Sequence, residues 1–204
     1  MAKQTQLVPM QELSQGAISA ERSRVIRDLL ARASRELKMA EDKLVVRDIR
    51  PYSDLYWATD DNVTDGLVET ALTADKWEFT TDSSLYAKFL SAIVSTHRTM
   101  ADQRYVAIYG LRDSRVAYAT IVDILCTLWR FQVGHSYKAI WDPSKCYAYR
   151  TNVAGFCPTE IVIPQNTQYN IFGYLPTTTE RSKVSHVSFE GVVIEPVGKV
   201  ISPE

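Results

Sequence analysis

The chain has 204 residues, 46% of them hydrophobic and 23% charged, and carries a formal net charge of -1. Such a composition supplies a substantial core and excludes wholesale disorder. The near-zero charge lacks the basic excess of a nonspecific nucleic-acid binder, and near neutrality favours association with other protein surfaces. No run approaches the roughly 18 apolar residues needed to span a bilayer, and the opening MAKQTQLVPMQELSQG has no apolar core, so neither a membrane anchor nor a signal peptide is expected. Cys126, Cys146 and Cys157 have no CxxC spacing and fit buried free thiols in a reducing compartment.

Taken in order, Met1 to Gly16 is polar and reads as an extended arm. Ser19 is the expected cap of a helix beginning at Ala20, of roughly 23 residues, along which Ile26, Leu30, Ala33, Leu37, Ala40 and Leu44 form a narrow apolar seam. The other faces mix Arg22, Arg24, Arg27, Arg32, Arg35 and Lys38 with Asp28, Glu36 and Glu41, which dilutes any field for nucleic acid. Two readings of the seam stay open here: packing on the chain's own domain, and docking on a neighbouring subunit.

Leu44 to Ile49 is β-prone and ends before Pro51. From Ser53 to Asp82 the chain is acidic, with Lys76 its single cation, and DDNVTDG lacks the ligand alternation of a calcium loop. Lys76 to Thr80 alternates as a strand, whereas Leu85, Phe89, Leu90 and Ile93 predict a helix. Arg104 to Leu111 is a strand. Val116 to Val133 is almost continuously apolar and, from its β-branched and aromatic content, is also assigned as strand. Gly134-His135 turns the chain into SYKAIW, Asp142-Pro143-Ser144 ends that strand, and KCYAYR supplies another.

The chain is organised around Pro158 to Ile201, read as at least three strands. Ile161 and Ile163 share one face, Tyr169 and Ile171 another, and Val187, Phe189, Gly191 and Val193 recur at period two. Val192 and Ile194 are apolar on the opposite side, so both faces of the last strand need covering, by the helix or by a neighbouring copy. Short strands about ten residues apart indicate a mainly β fold, an antiparallel β-sandwich of jelly-roll type with an N-terminal helical extension. The expected division is residues 1–50, arm and amphipathic helix, and residues 51–204, the β-sandwich.

Little in the sequence carries chemistry. His97, His135 and His186 lie on separate elements without metal-ligand spacing, and no GxSxG elbow accompanies them. A carboxylate pair drawn from Glu160, Glu190 or Glu195 competes with ordinary strand carboxylates, and Gly155, Gly173, Gly191 and Gly198 are isolated. No catalytic residue, cofactor or metal is therefore expected. Tyr137, Trp141, Tyr147, Tyr149, Phe156, Tyr169, Phe172 and Tyr174 concentrate in the β region, as core or as a platform for carbohydrate or a subunit contact.

From ATIVDILCTLWRFQVGHSYKAIWDP through EIVIPQNTQYNIFGYL to FEGVVIEPVGKVI, the chain resembles the single jelly-roll coat proteins of tailless icosahedral viruses. The resemblance covers about residues 75 to 201 and lies in the pattern of hairpins, a long polar loop and a last apolar strand; the basic arm of genome-binding coats is missing. It implies a non-enzymatic structural protein that assembles with itself and with other virion proteins, located in the virion and assembled in the host cytoplasm. The expected interface residues are Ile26, Leu30, Ala33, Leu37, Ala40, Leu44, Val192 and Ile194. The alternative is a carbohydrate- or ligand-binding β-sandwich that stacks its ligand on residues such as Trp141.

Overall fold

The computed structural model describes residues 2–49, 86–88, 98–113, 128–149, 153–174 and 187–198. Along them run β1 (Lys3–Gln6), β2 (Val8–Pro9), α1 (Gln15–Leu37), β3 (Leu44–Asp48), β4 (Tyr86–Lys88), β5 (Arg98–Thr99), β6 (Tyr105–Asp113), β7 (Leu128–Val133), β8 (Ser136–Asp142), β9 (Val153–Ile163), β10 (Gln168–Tyr174) and β11 (Val187–Pro196). The protein is mainly β, with two sheets packed face to face as a sandwich. One sheet has the order β1-β8-β7-β10-β4, with β5 also on β10, and the other β2-β9-β6-β11-β3.

Four of the antiparallel pairings are nested. β3 lies antiparallel to β11, β4 to β10, β6 to β9 and β7 to β8, so early strands meet late ones and the middle strands meet each other. Their alternation fills the space between the sheets. Trp129, Phe131 and Val133 from β7, Trp141 from β8, and Tyr169 and Ile171 from β10 face Val106, Ile108, Leu111, Ile161, Ile163, Phe189 and Val193 of the other sheet. Phe131 bridges the layers, with ring centroids 4.5 Å from Trp141 and 5.6 Å from Phe189. Burying aromatic side chains of this size contributes most of the apolar stabilisation.

A second core lies on the far side of the second sheet, under α1. Val25, Leu29 and Ala33 of the helix, spaced by four, meet Tyr105, Ala107, Tyr109, Phe156, Val192 and Ile194, with Ile26, Leu30 and Leu37 flanking. β6 supplies both cores because its alternate residues point to opposite faces, and a bulge shifts its phase part-way along. Gly110 pairs with Glu190 and Ile108 with Gly191, which leaves Tyr109 as the extra residue opposite β11, while opposite β9 the register jumps from Ile161 to Phe156. A Cβ at Gly110 would be tightly placed, 3.0 Å from the Met10 methyl and 3.1 Å from the Gly155 carbonyl.

Several expectations shift. The helix has the anticipated length but starts five residues earlier, because Ser14 and not Ser19 caps it, accepting from the Ala17 amide at 3.1 Å. It ends at Leu37, where Lys38 turns left-handed at φ 55° and the Met39 amide returns to the Ser34 carbonyl. Ala40 and Leu44 thus lie beyond it: Ala40 is exposed, and Leu44 opens β3. KCYAYR is not a strand, since Cys146–Ala148 form a 3-10 turn. Tyr86–Lys88, placed in a predicted helix, pair instead with β10. β1, β2 and β3, all before residue 50, pair within the two sheets. Residues 128–133 of the long apolar run are strand, while 116–127, the Lys76 to Thr80 strand and the acidic 53–82 stretch lie outside the described residues.

Candidate interaction surfaces

The carboxylates that might have formed an acid-base pair are each committed to arginine. Glu160 of β9 accepts from Arg24 at 2.8 Å, Glu190 of β11 pairs with Arg112, and Glu195 accepts from Arg47 Nε at 2.8 Å and Arg104 Nε at 3.0 Å. Glu195 is 1% exposed and Arg104 5%, so this ion cluster is nearly closed to water. His135 sits exposed in the β7-β8 turn. Burial pushes the Cys146 thiol up to about 11, with Glu12 and Asp142 adding to it, and raises Cys157, so both resist the thiolate form a nucleophile needs. The described residues hold no group of three or more His, Cys, Asp or Glu arranged for a metal. His97, His186 and Cys126 lie outside them.

The polar face of α1 is also largely spent within the chain. Arg22 pairs with Asp48 of β3 at 2.6 Å, and Arg24 with Glu21, Asp28 and Glu160. Glu36 accepts from Arg32 at 2.8 Å and from the Tyr105 hydroxyl at 2.9 Å. Burial works against the Glu36 carboxylate, but these two donors prevail and hold it below its ordinary value. Burial, then the bond to Glu36, pushes the Tyr105 phenol up to about 12. Three strands are thereby tied to one helix.

No protein-family model matches the chain, and comparisons with curated proteins and with solved structures return no match.

On the outer face of the first sheet, where no described helix lies, Asn170 and Phe172 of β10 are nonetheless buried. There Arg130 of β7 lies between two rings, its guanidinium carbon 4.3 Å from the centroid of Tyr137 and 4.8 Å from that of Phe172. Stacking on aromatic faces holds an arginine flat on the sheet, and tyrosine with arginine is a pairing enriched at contact centres. Tyr137 is 45% exposed. Trp141, by contrast, is fully buried between the sheets and is not a stacking platform, nor is Tyr169.

The eight residues expected at an interface fall mostly within the chain's own structure. Val192 and Ile194 are fully buried beneath α1, Ala33 is fully buried on the helix, and Leu44 is 8% exposed. Ile26, Leu30 and Leu37 are half-buried at the margin of the same core, and Ala40 is exposed after the helix end. The Arg130 stack and the Arg47–Glu195–Arg104 cluster were missed. The second had a signal: Glu195 continues the period-two register of Phe189, Gly191 and Val193, which places a charge where the apolar face continues.

Proposed function

We propose that the protein is a self-assembling structural subunit, a capsid or virion component, built on a jelly-roll sandwich and without an enzymatic role. The observation that carries this is the nested pairing of β3 with β11, β4 with β10, β6 with β9 and β7 with β8, which is what rolling up one long hairpin of eight strands produces. Such folds serve shell proteins and also sugar-binding ones, so fold alone leaves the choice to the surface. Two features favour the shell: the tryptophans of the described residues lie in the core, and Glu160, Glu190 and Glu195 are paired with arginine while Cys146 and Cys157 are buried.

In this reading the contacts between copies run through the exposed Tyr137 on the outer face of the first sheet and, on the opposite side of the sandwich, through the half-buried margin of α1. The virion is its place of action. The test is size-exclusion chromatography with light scattering, followed by electron microscopy of the heavy fractions. Closed particles or large regular assemblies are the expected outcome, and a strict monomer at every protein concentration overturns the proposal. Deleting residues 1–43 is a poor test, because it strips α1 from Tyr105, Tyr109, Phe156, Val192 and Ile194 and would cause aggregation for a different reason.

A further inference from the structure

The first nine residues close one edge of the sandwich. β1 lies parallel to β8, with Lys3 opposite Ala139 and Gln6 opposite Asp142, and β2 lies antiparallel to β9, with Val8 opposite Phe156. Without them β8 and β9 would each present an open backbone edge, one in each sheet. Between the two short strands Leu7 donates its amide to the Asp142 carbonyl at 2.9 Å and drives its side chain, 1% exposed, into the core between the sheets. Its seat is built by a glycine. A Cβ at Gly155 would lie 2.8 Å from Leu7 Cδ1 and from Cys146 Sγ, so any side chain there fills the space the leucine occupies.

Pro9 is also buried, but the β1 part of the clasp is weakly held. Lys3, Gln4 and Gln6 are exposed. Their side-chain bonds are long, Gln4 Nε2 to Asp142 Oδ2 at 3.3 Å and Gln6 Nε2 to Ser144 Oγ at 3.4 Å. A segment fixed by two short ladders, a buried leucine and a buried proline opens more readily than the core strands beside it. Opening leaves two bare strand edges and an empty leucine seat, and the sequence that complements them is present on every other copy of the chain. Connectivity does not prevent an exchange. β8 is joined to β7 by a two-residue turn and cannot choose another partner, whereas β1 is remote in sequence and reaches β8 in parallel, through the short Met10–Ser14 link that follows Pro9.

We infer that the β8–β9 edge is a strand-accepting site whose second occupant is the Lys3–Pro9 segment of another copy, so that the clasp passes between molecules as they associate. This is strand addition with a leucine anchor, and exchange of identical elements between protomers adds contacts without new surface. It rests on the self-assembly proposed above and names one contact through which that assembly is tied.

The experiment uses full-length protein carrying one new thiol per molecule. Gln4→Cys protein is mixed with Ile140→Cys protein, the two positions being opposite each other across β1 and β8. A short bis-maleimide is added at several protein concentrations, and peptide mapping assigns each link and separates it from any made by the native Cys126, Cys146 and Cys157. A 4-to-140 heterodimer whose yield rises with concentration is expected, and Leu7→Ala is expected to speed its appearance several-fold. The double variant, Gln4→Cys with Ile140→Cys in one chain, reports the pairing within a molecule. Particles that form while links occur only within chains overturn the exchange and leave the assembly proposal standing. Heterodimers without larger assemblies do the reverse. Absence of both kinds of link overturns the clasp itself.

Discussion

Replacing Glu195 by glutamine keeps the shape of the side chain and removes its charge from a site shared by two guanidiniums. Arg104 is 6% exposed at its side chain and Arg47 15%, so water supplies little compensation. Breaking a buried ion cluster by removing one partner costs about 3–5 kcal/mol. Both arginines make further interactions, which puts the expectation at the lower end, about 3 kcal/mol. Glu190→Gln is the internal control on the same strand: its pair with Arg112 is 28% and 47% exposed, and pairs of that kind contribute about 0–1 kcal/mol. Urea unfolding followed by tryptophan fluorescence separates the two. At a slope of about 2–3 kcal/mol per molar, Glu195→Gln lowers the midpoint by about 1 M or more with the slope unchanged, and Glu190→Gln by a few tenths. Equal shifts for both variants would refute the distinction between the closed and the open ion pair.

Gly191→Ala places a methyl group against the Ala107 carbonyl and the Ile49 Cδ1, at the β6–β11 pairing beside the bulge, and backbone cannot yield as a side-chain tip does. The expected loss is about 3 kcal/mol or more, read as a fall in the urea midpoint, and a variant within 0.5 kcal/mol of the parent would contradict the packing described. Stability is also expected to fall in alkali. Folded Tyr105 at about 12, against an ordinary 10, and folded Cys146 at about 11, against 9, hold their protons more tightly than the unfolded chain does. Their contribution is complete below about pH 9 and is lost as pH rises from there towards 12. Thermal melts across that window check the sign, and a midpoint independent of pH would contradict it; Tyr105→Phe removes the tyrosine part of the slope.

The strands that read most clearly from sequence were those whose alternation is undisturbed. Tyr169 with Ile171, and Phe189 with Val193, lie on the buried face of their strands, and SYKAIW falls within β8. The doubly apolar end of β11 was legible too, and it is α1 of the same chain that covers Val192 and Ile194. What escaped has identifiable causes. Gly16 disguised the first turn of α1, so the cap was sought at the next suitable serine. β1 and β2 are polar and short, and their pairing is made by backbone that any sequence possesses, with only Leu7 to mark them. In β9, Pro158 and Thr159 bulge outward to bring Glu160 to Arg24, which hid the strand's true start at Val153. Of the seam expected on α1, Ala33 is buried against the sheet, whereas Val25 and Leu29 take the central positions and Ile26, Leu30 and Leu37 flank them.

Tyr109, the surplus residue of β6, makes the numbering of that strand a poor guide to its sidedness. Up to Tyr109 the odd-numbered residues look towards the helix, and from Leu111 they look towards the other sheet. Lengthening or shortening the strand elsewhere would exchange the side chains facing α1 with those facing the other sheet for everything downstream. Removing one residue at the bulge itself leaves the remaining side chains of β6 on the faces they now occupy, so a change of length in this strand is tolerated best there.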